Sequence, residues 1–148
     1  MDTVEILPIN SKHLDGVLAI SKLSFATSWS RESFESELTN QHATYFVAVV
    51  DGFVAAFGGM WIIVDEAHIT NIAVHPEFRS CHIGTKILSA LIDKCKMSGI
   101  AGMTLEVRTS NYIAQKLYSN FGFQVEGVRK AYYADNKEDA LIMWKRDF

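Results

Sequence analysis

The sequence predicts one α/β domain over residues 1–148, with a mixed central sheet flanked by helices. Three observations carry that expectation. Two apolar runs, Thr44 to Val50 and Phe53 to Val64, are joined by Asp51-Gly52, a two-residue hairpin signal that makes them antiparallel. A strand pattern from Ala67 to Val74, a helical repeat from Ile83 and a strand pattern from Met103 to Arg108 follow in the order of a strand-helix-strand crossover. No repeat, low-complexity tract or linker-like stretch divides the chain.

The elements can be justified in order. Thr3 to Leu7 is a short apolar strand closed by Pro8, and Ser11 can cap a helix that places Leu14, Val17, Leu18 and Phe25 on one face, interrupted by Ser21. Ser30 can cap a second helix, with Trp29 before the cap and Phe34 in the first turn forming a hydrophobic staple. The hairpin comes next, then a turn at Asp65-Glu66 and the strand that Pro76 prevents from continuing. Ile83, Ile87, Leu88, Leu91, Ile92 and Cys95 repeat at helical spacing until Gly99 supplies a stop. Met103, Leu105 and Val107 alternate with Thr104, Glu106 and Arg108 as a strand does. If this strand and 67–74 are parallel neighbours, the crossover between them is right-handed. A helix from Asn111 to Gly122 and strands at Phe123 to Val128 and Ala140 to Trp144 complete the pattern.

Composition narrows the function. A net charge of −3 does not suit a broad grip on nucleic acid, which needs clustered Lys and Arg. No apolar run approaches the roughly 20 residues of a membrane span, and the first residues lack the basic and apolar regions of a signal peptide. A cytoplasmic protein is expected. The two cysteines, Cys81 and Cys95, are expected to be reduced, and no Cys/His spacing suggests a metal site.

A strand that stops at a turn and feeds a helix leaves unpaired N–H groups and the positive end of the helix dipole facing outward, which suits phosphate. Here the strand ends at Val74, the turn runs from His75 to Gly84, Arg79 offers a positive charge and Gly84 allows close approach of a ligand. From spacing alone, an ordinary strand-to-helix loop fits as well.

Arg79-Ser80-Cys81-His82-Ile83-Gly84 resembles the cofactor turn of the GNAT acetyltransferase superfamily, with His82 in place of its middle glycine. Asn71-Ile72-Ala73-Val74, Leu105-Glu106-Val107-Arg108, Ser110-Asn111, Leu117-Tyr118, Phe121-Gly122-Phe123, Tyr132-Tyr133 and Glu138 to Met143 resemble the RimI-type ribosomal-protein N-terminal acetyltransferases. This resemblance spans nearly the whole chain. It implies an acetyl-CoA site formed by Ile72, Ala73, Val74, Arg79, Ser80, Cys81, His82, Ile83, Gly84, Thr85 and Asn111. It implies Glu106 as the base, Tyr118 as the acid, and Tyr132 and Tyr133 as part of the slot for the acceptor's N-terminus. Packing roles compete for the three tyrosines. Glu106 is expected to gain basicity from partial desolvation, or else to pair with Arg108 on the same strand face. The implied acceptor is the N-terminal amine, an alanine, of the eighteenth small-subunit ribosomal protein. A lysine or small-amine acceptor, and a non-catalytic CoA-binding module, are the alternatives.

Overall fold

A computed structural model describes residues 3–25, 29–79 and 81–148. Seven strands form one sheet: β1 (Val4–Pro8), β2 (Ala43–Val50), β3 (Phe53–Ile63), β4 (Glu66–Val74), β5 (Gly102–Arg108), β6 (Gln124–Arg129) and β7 (Ala140–Lys145). Among the described residues four α-helices accompany them: α1 (Leu14–Ser24), α2 (Arg31–Thr39), α3 (Ile83–Met97) and α4 (Tyr112–Asn120). The strand order is β1-β2-β3-β4-β5-β7-β6, and every pairing is antiparallel except β4 with β5. The expected mixed sheet and parallel pair are both present.

Both faces of the sheet are covered, which is why β2 and β3 read as nearly continuous apolar runs. On one face Ala48, Ala56 and Met60 pack with Ile87, Leu88 and Leu91 of α3. On the other, Val47, Val49 and Phe57 pack with Leu14, Val17 and Ile20 of α1 and Phe34 of α2.

Local chemistry fixes the ends. Asp51 and Gly52 both take positive φ, as a two-residue hairpin of this type requires. Ser30 accepts from the Ser33 N–H, and the Trp29 and Phe34 rings meet at 5.2 Å, so the cap and staple both form. The first cap differs from expectation. Asn10, not Ser11, accepts a backbone N–H, and a 3₁₀ turn at Ser11–His13 precedes α1. Two adjacent capping residues compete there, and the His13 ring accepting from the Asn10 N–H settles the choice. Ser21 does interrupt the buried face of α1, with its hydroxyl sealed and unpartnered. The turn after β3 lies one residue earlier than expected, with Val64 at φ 59°.

One irregularity shapes the site. Gly59 pairs with Asn71 but Met60 pairs with Ile69, so Thr70 is an extra residue in β4. The parallel pairing with β5 covers only Glu66, His68 and the residue between them. Past His68 the two strands part, and among the described residues the remainder of β4, to Val74, has no strand partner on that side.

Candidate active site

Where β4 and β5 separate, their side chains and free backbone edge converge with the start of α3. Ile72 and Val74 lean on the α3-side core, while Ala73 is buried on the α1 side. The stretch thus presents unpaired main chain to the gap, as a bound acyl donor would require.

The turn after β4 delivers α3. His82 occupies the N-cap position at φ 60° and ψ 23°, a left-handed conformation that non-glycine residues seldom take and that His tolerates better than most. In that geometry no side chain among the described residues caps the helix. The N–H groups of Ile83, Gly84 and Thr85 therefore begin a 15-residue helix without a side-chain acceptor among the described residues, at the positive end of its dipole. Ile83 turns its side chain into the core, so its backbone is what it can offer a ligand. A Cβ added at Gly84 would meet Val74 and Leu117 at 3.6 and 3.8 Å, ordinary contact distances. Nothing in the protein's own packing demands glycine there. Arg79 and Cys81 flank the turn, with Cys81 exposed; Ser80 lies outside the described residues. Asn111 caps α4, its Oδ1 accepting from the Ala114 N–H, which leaves its amide N–H groups for other partners.

Glu106 alternates with core residues Leu105 and Val107, so it points to the opposite face from α3. Its carboxylate is nearly enclosed, with a side-chain exposure of 9%. His68 Nε2 lies 3.1 and 3.0 Å from its two oxygens, and the Tyr132 hydroxyl donates to Oε1 at 3.1 Å. Desolvation does not raise its pKa as expected. The His68 hydrogen bond outweighs burial, with help from Tyr132 and the charge of Arg129, and holds the carboxyl below its ordinary value. An ionised carboxylate only accepts, so the His68 Nε2 carries the shared hydrogen. The alternative, a Glu106 paired with Arg108, does not form either. Arg108 reaches instead to Asp135 and Glu138 in the loop between β6 and β7.

Tyr118 lies in the α3-side core, its ring 5.7 Å from Phe123, and burial pushes its phenol up to about 12. It is protonated at neutral pH. Glu106 and Tyr118 thus occupy opposite faces of the sheet, with the parted strands between them. Tyr132 and Tyr133 stand at the rim, ring centroids 5.1 Å apart, and Arg108 stacks on the Tyr133 ring at 3.9 Å. His68 is the residue that motif reasoning misses. The alternation Ala67-His68-Ile69 already sets it on the same face as Glu106 once β4 and β5 are neighbours.

The arrangement combines the start of α3, an open parallel-strand gap and a hydrogen-bonded carboxylate, and comparison gives it a family. Residues 14–123 match the acetyltransferase (GNAT) family. The chain belongs to that family and is an acetyl-CoA-dependent N-acetyltransferase. It is 36% identical over 147 residues to the ribosomal protein bS18-alanine N-acetyltransferase of Escherichia coli strain K12, covering 97% of this chain and 96% of that one. It is 46% identical over 132 residues to a Bacillus subtilis protein provisionally assigned the same activity, covering 88% and 87% of the two chains. The crystal structure of the E. coli ribosomal-protein-S18-alanine N-acetyltransferase superposes with a TM-score of 0.88 at 33% identity, covering 96% of this chain and 92% of that one. Ard1 from Thermoplasma volcanium shares the fold, with a TM-score of 0.89 at 24% identity over 98% of both chains.

Proposed function

We propose that this enzyme acetylates the N-terminal alanine of ribosomal protein bS18 in the cytoplasm, as a single catalytic domain spanning residues 1–148. The observation that carries the chemistry is the Glu106 carboxylate held by His68 and Tyr132 beside the open part of the sheet. The acceptor rests on the relatives named above.

In this reading the N–H groups of Ile83, Gly84 and Thr85, with the turn at Arg79, Ser80, Cys81 and His82, hold the pyrophosphate of acetyl-CoA. Asn111 contacts the cofactor from the start of α4. The free edge of β4 at Ile72, Ala73 and Val74 orients the acyl arm and stabilises charge on its carbonyl oxygen. The acceptor's α-ammonium enters past Tyr132 and Tyr133. It gives one proton to Glu106, the base, which His68 and Tyr132 hold in place, and its freed lone pair forms the N–C bond. As the C–S bond breaks, the Tyr118 hydroxyl supplies a proton to the departing thiolate. The acceptor nitrogen loses a second proton, so that overall one proton goes to the thiol and one to solvent.

Mass spectrometry of a peptide with a free N-terminal alanine, incubated with acetyl-CoA and the protein, tests the reaction. An N-blocked lysine peptide is the competitor. Preferential acetylation of lysine would overturn the acceptor. Glu106→Gln should lower kcat by about 10²- to 10⁴-fold, the range of general acid–base assistance, with acetyl-CoA affinity retained in calorimetry. Undiminished turnover would remove Glu106 from the mechanism.

A further inference from the structure

The ten residues 130–139 link β6 to β7 and carry both rim tyrosines, yet little apolar packing holds them. Tyr132 is 46% exposed, and Asp135, Asn136 and Lys137 are exposed as well. Ala131 and Lys137 both take left-handed backbone, at φ 52° and 61°, a conformation that L-residues adopt at a cost. Backbone hydrogen bonds from Tyr133 to Glu138 and from Lys137 to Tyr133 close the loop on itself, and side chains tie it to the sheet.

Arg108 makes such a tie. Its Nη2 donates to both Asp135 oxygens at 3.0 and 3.1 Å, and its Nη1 donates to Asn136 Oδ1 and Glu138 Oε1, each at 3.2 Å. Its guanidinium also lies on the Tyr133 ring. The other Glu138 oxygen accepts from the Ser110 N–H at 2.8 Å and the Thr109 hydroxyl at 3.2 Å. One planar fork thus fastens the middle of the loop to the end of β5, two residues beyond Glu106. The neighbour of the stacked ring, Tyr132, is the residue that donates to Glu106.

We propose that Arg108 is a positioning residue for the acceptor: by strapping the 130–139 loop to β5 it holds Tyr132 over Glu106 and sets the width of the acceptor slot. This rests on the acceptor entering past Tyr132, as read above. It assigns Arg108 no contact with the acceptor. A lysine cannot replace it, because a point charge lacks the planar fork that reaches three side chains while stacking on a ring.

Steady-state kinetics on Arg108→Gln, Arg108→Lys, Tyr132→Phe and the Arg108→Gln/Tyr132→Phe double variant test the proposal, using a peptide with a free N-terminal alanine. Both Arg108 variants should raise the KM for peptide by about tenfold or more while the KM for acetyl-CoA stays within about twofold. The double variant should fall short of the product of the single effects, since both changes break one connection. Well below neutrality, where Glu106 takes up its proton, the acid end of the kcat/KM profile should move upward in Arg108→Gln and Tyr132→Phe alike. The groups facing Glu106 are His68 from β4, Tyr132 from the loop and Arg129 from β6, and only the Tyr132 contribution is removed.

Hydrogen exchange over residues 131–138 reads the strap with no acceptor present and should speed up by about tenfold in Arg108→Gln. Unchanged exchange would overturn the strap, and faster exchange with unchanged peptide KM would overturn its role in positioning. Equal losses for peptide and acetyl-CoA would reduce Arg108 to a general structural residue, also against the proposal. If the unaltered enzyme fails to acetylate the peptide, the acceptor reading fails, and exchange alone decides whether the strap exists.

Discussion

At His82, backbone geometry and ligand access pull in different directions. A left-handed backbone costs an L-residue about 1–2 kcal/mol, less for His than for most. Glycine removes that cost but enlarges the unfolded ensemble by about 0.4–1 kcal/mol. His82→Gly should therefore change folding stability by less than about 1 kcal/mol in chemical denaturation, while calorimetry shows tighter acetyl-CoA binding. Equal or weaker affinity would mean that the imidazole does not crowd the pyrophosphate. His82→Val puts a β-branched residue at the same φ and should destabilise by about 2 kcal/mol. Glu106 gives a second prediction at this scale. Its pKa, held below the ordinary 4.5, keeps it ionised at neutral pH, so the rise of rate through the neutral range belongs to other groups. An α-ammonium loses its proton near 7.7–8.0 and a lysine near 10.4. For an N-terminal peptide, kcat/KM should level off a little above pH 8, and a carboxylate limb near neutrality would contradict the pairing with His68. Glu106 itself was legible from the resemblance and from its place on an apolar strand. The sign of its pKa shift was not, because it depends on a histidine 38 positions away.

At the scale of elements, the sequence was most readable where one residue type has one local use. Asp51-Gly52 could form little but a tight hairpin, and Trp29-Ser30 with Phe34 announced both a cap and a staple. The Thr70 bulge carried no such mark, because threonine is at home in any strand and the extra residue shows only in the register against β3. The 130–139 loop was legible as a loop but not as a tied one, since its ties run to β5 through Arg108 and Glu138. That architecture has an acid limit. Hydrogen bonds from Ser110 hold Glu138 down to about 2, against an ordinary value of 4.5. A depressed carboxyl contributes fully above its unfolded value and loses that contribution as pH falls toward its folded one. The loop should therefore stay protected in hydrogen exchange down to about pH 4.5 and loosen between there and about pH 2. Loosening that begins near neutrality would show that Glu138 does not control it.

For the whole molecule, the apolar runs announced strands buried on both faces, and the crossover through α3 made the sheet mixed. The order of the last strands was out of reach: β7 lies between β5 and β6, and a hairpin of β6 with β7 could have joined β5 by either edge. The resulting sheet consists of two groups of antiparallel strands, β1 to β4 and β5 to β7, meeting in three parallel register pairs. Mechanically that junction is a zipper closed for only part of its length. A donor lodged along the open part touches both groups and acts as a brace between them. Binding at a hundredfold excess over Kd adds about 2.7 kcal/mol of stability, and here it should slow hydrogen exchange on both flanks, 69–74 and 104–108. Protection confined to the turn at 79–86 would show that the donor does not bridge. With bridging, the enzyme is stiffest when loaded with acetyl-CoA, and each turnover that releases the spent carrier hands flexibility back to the seam.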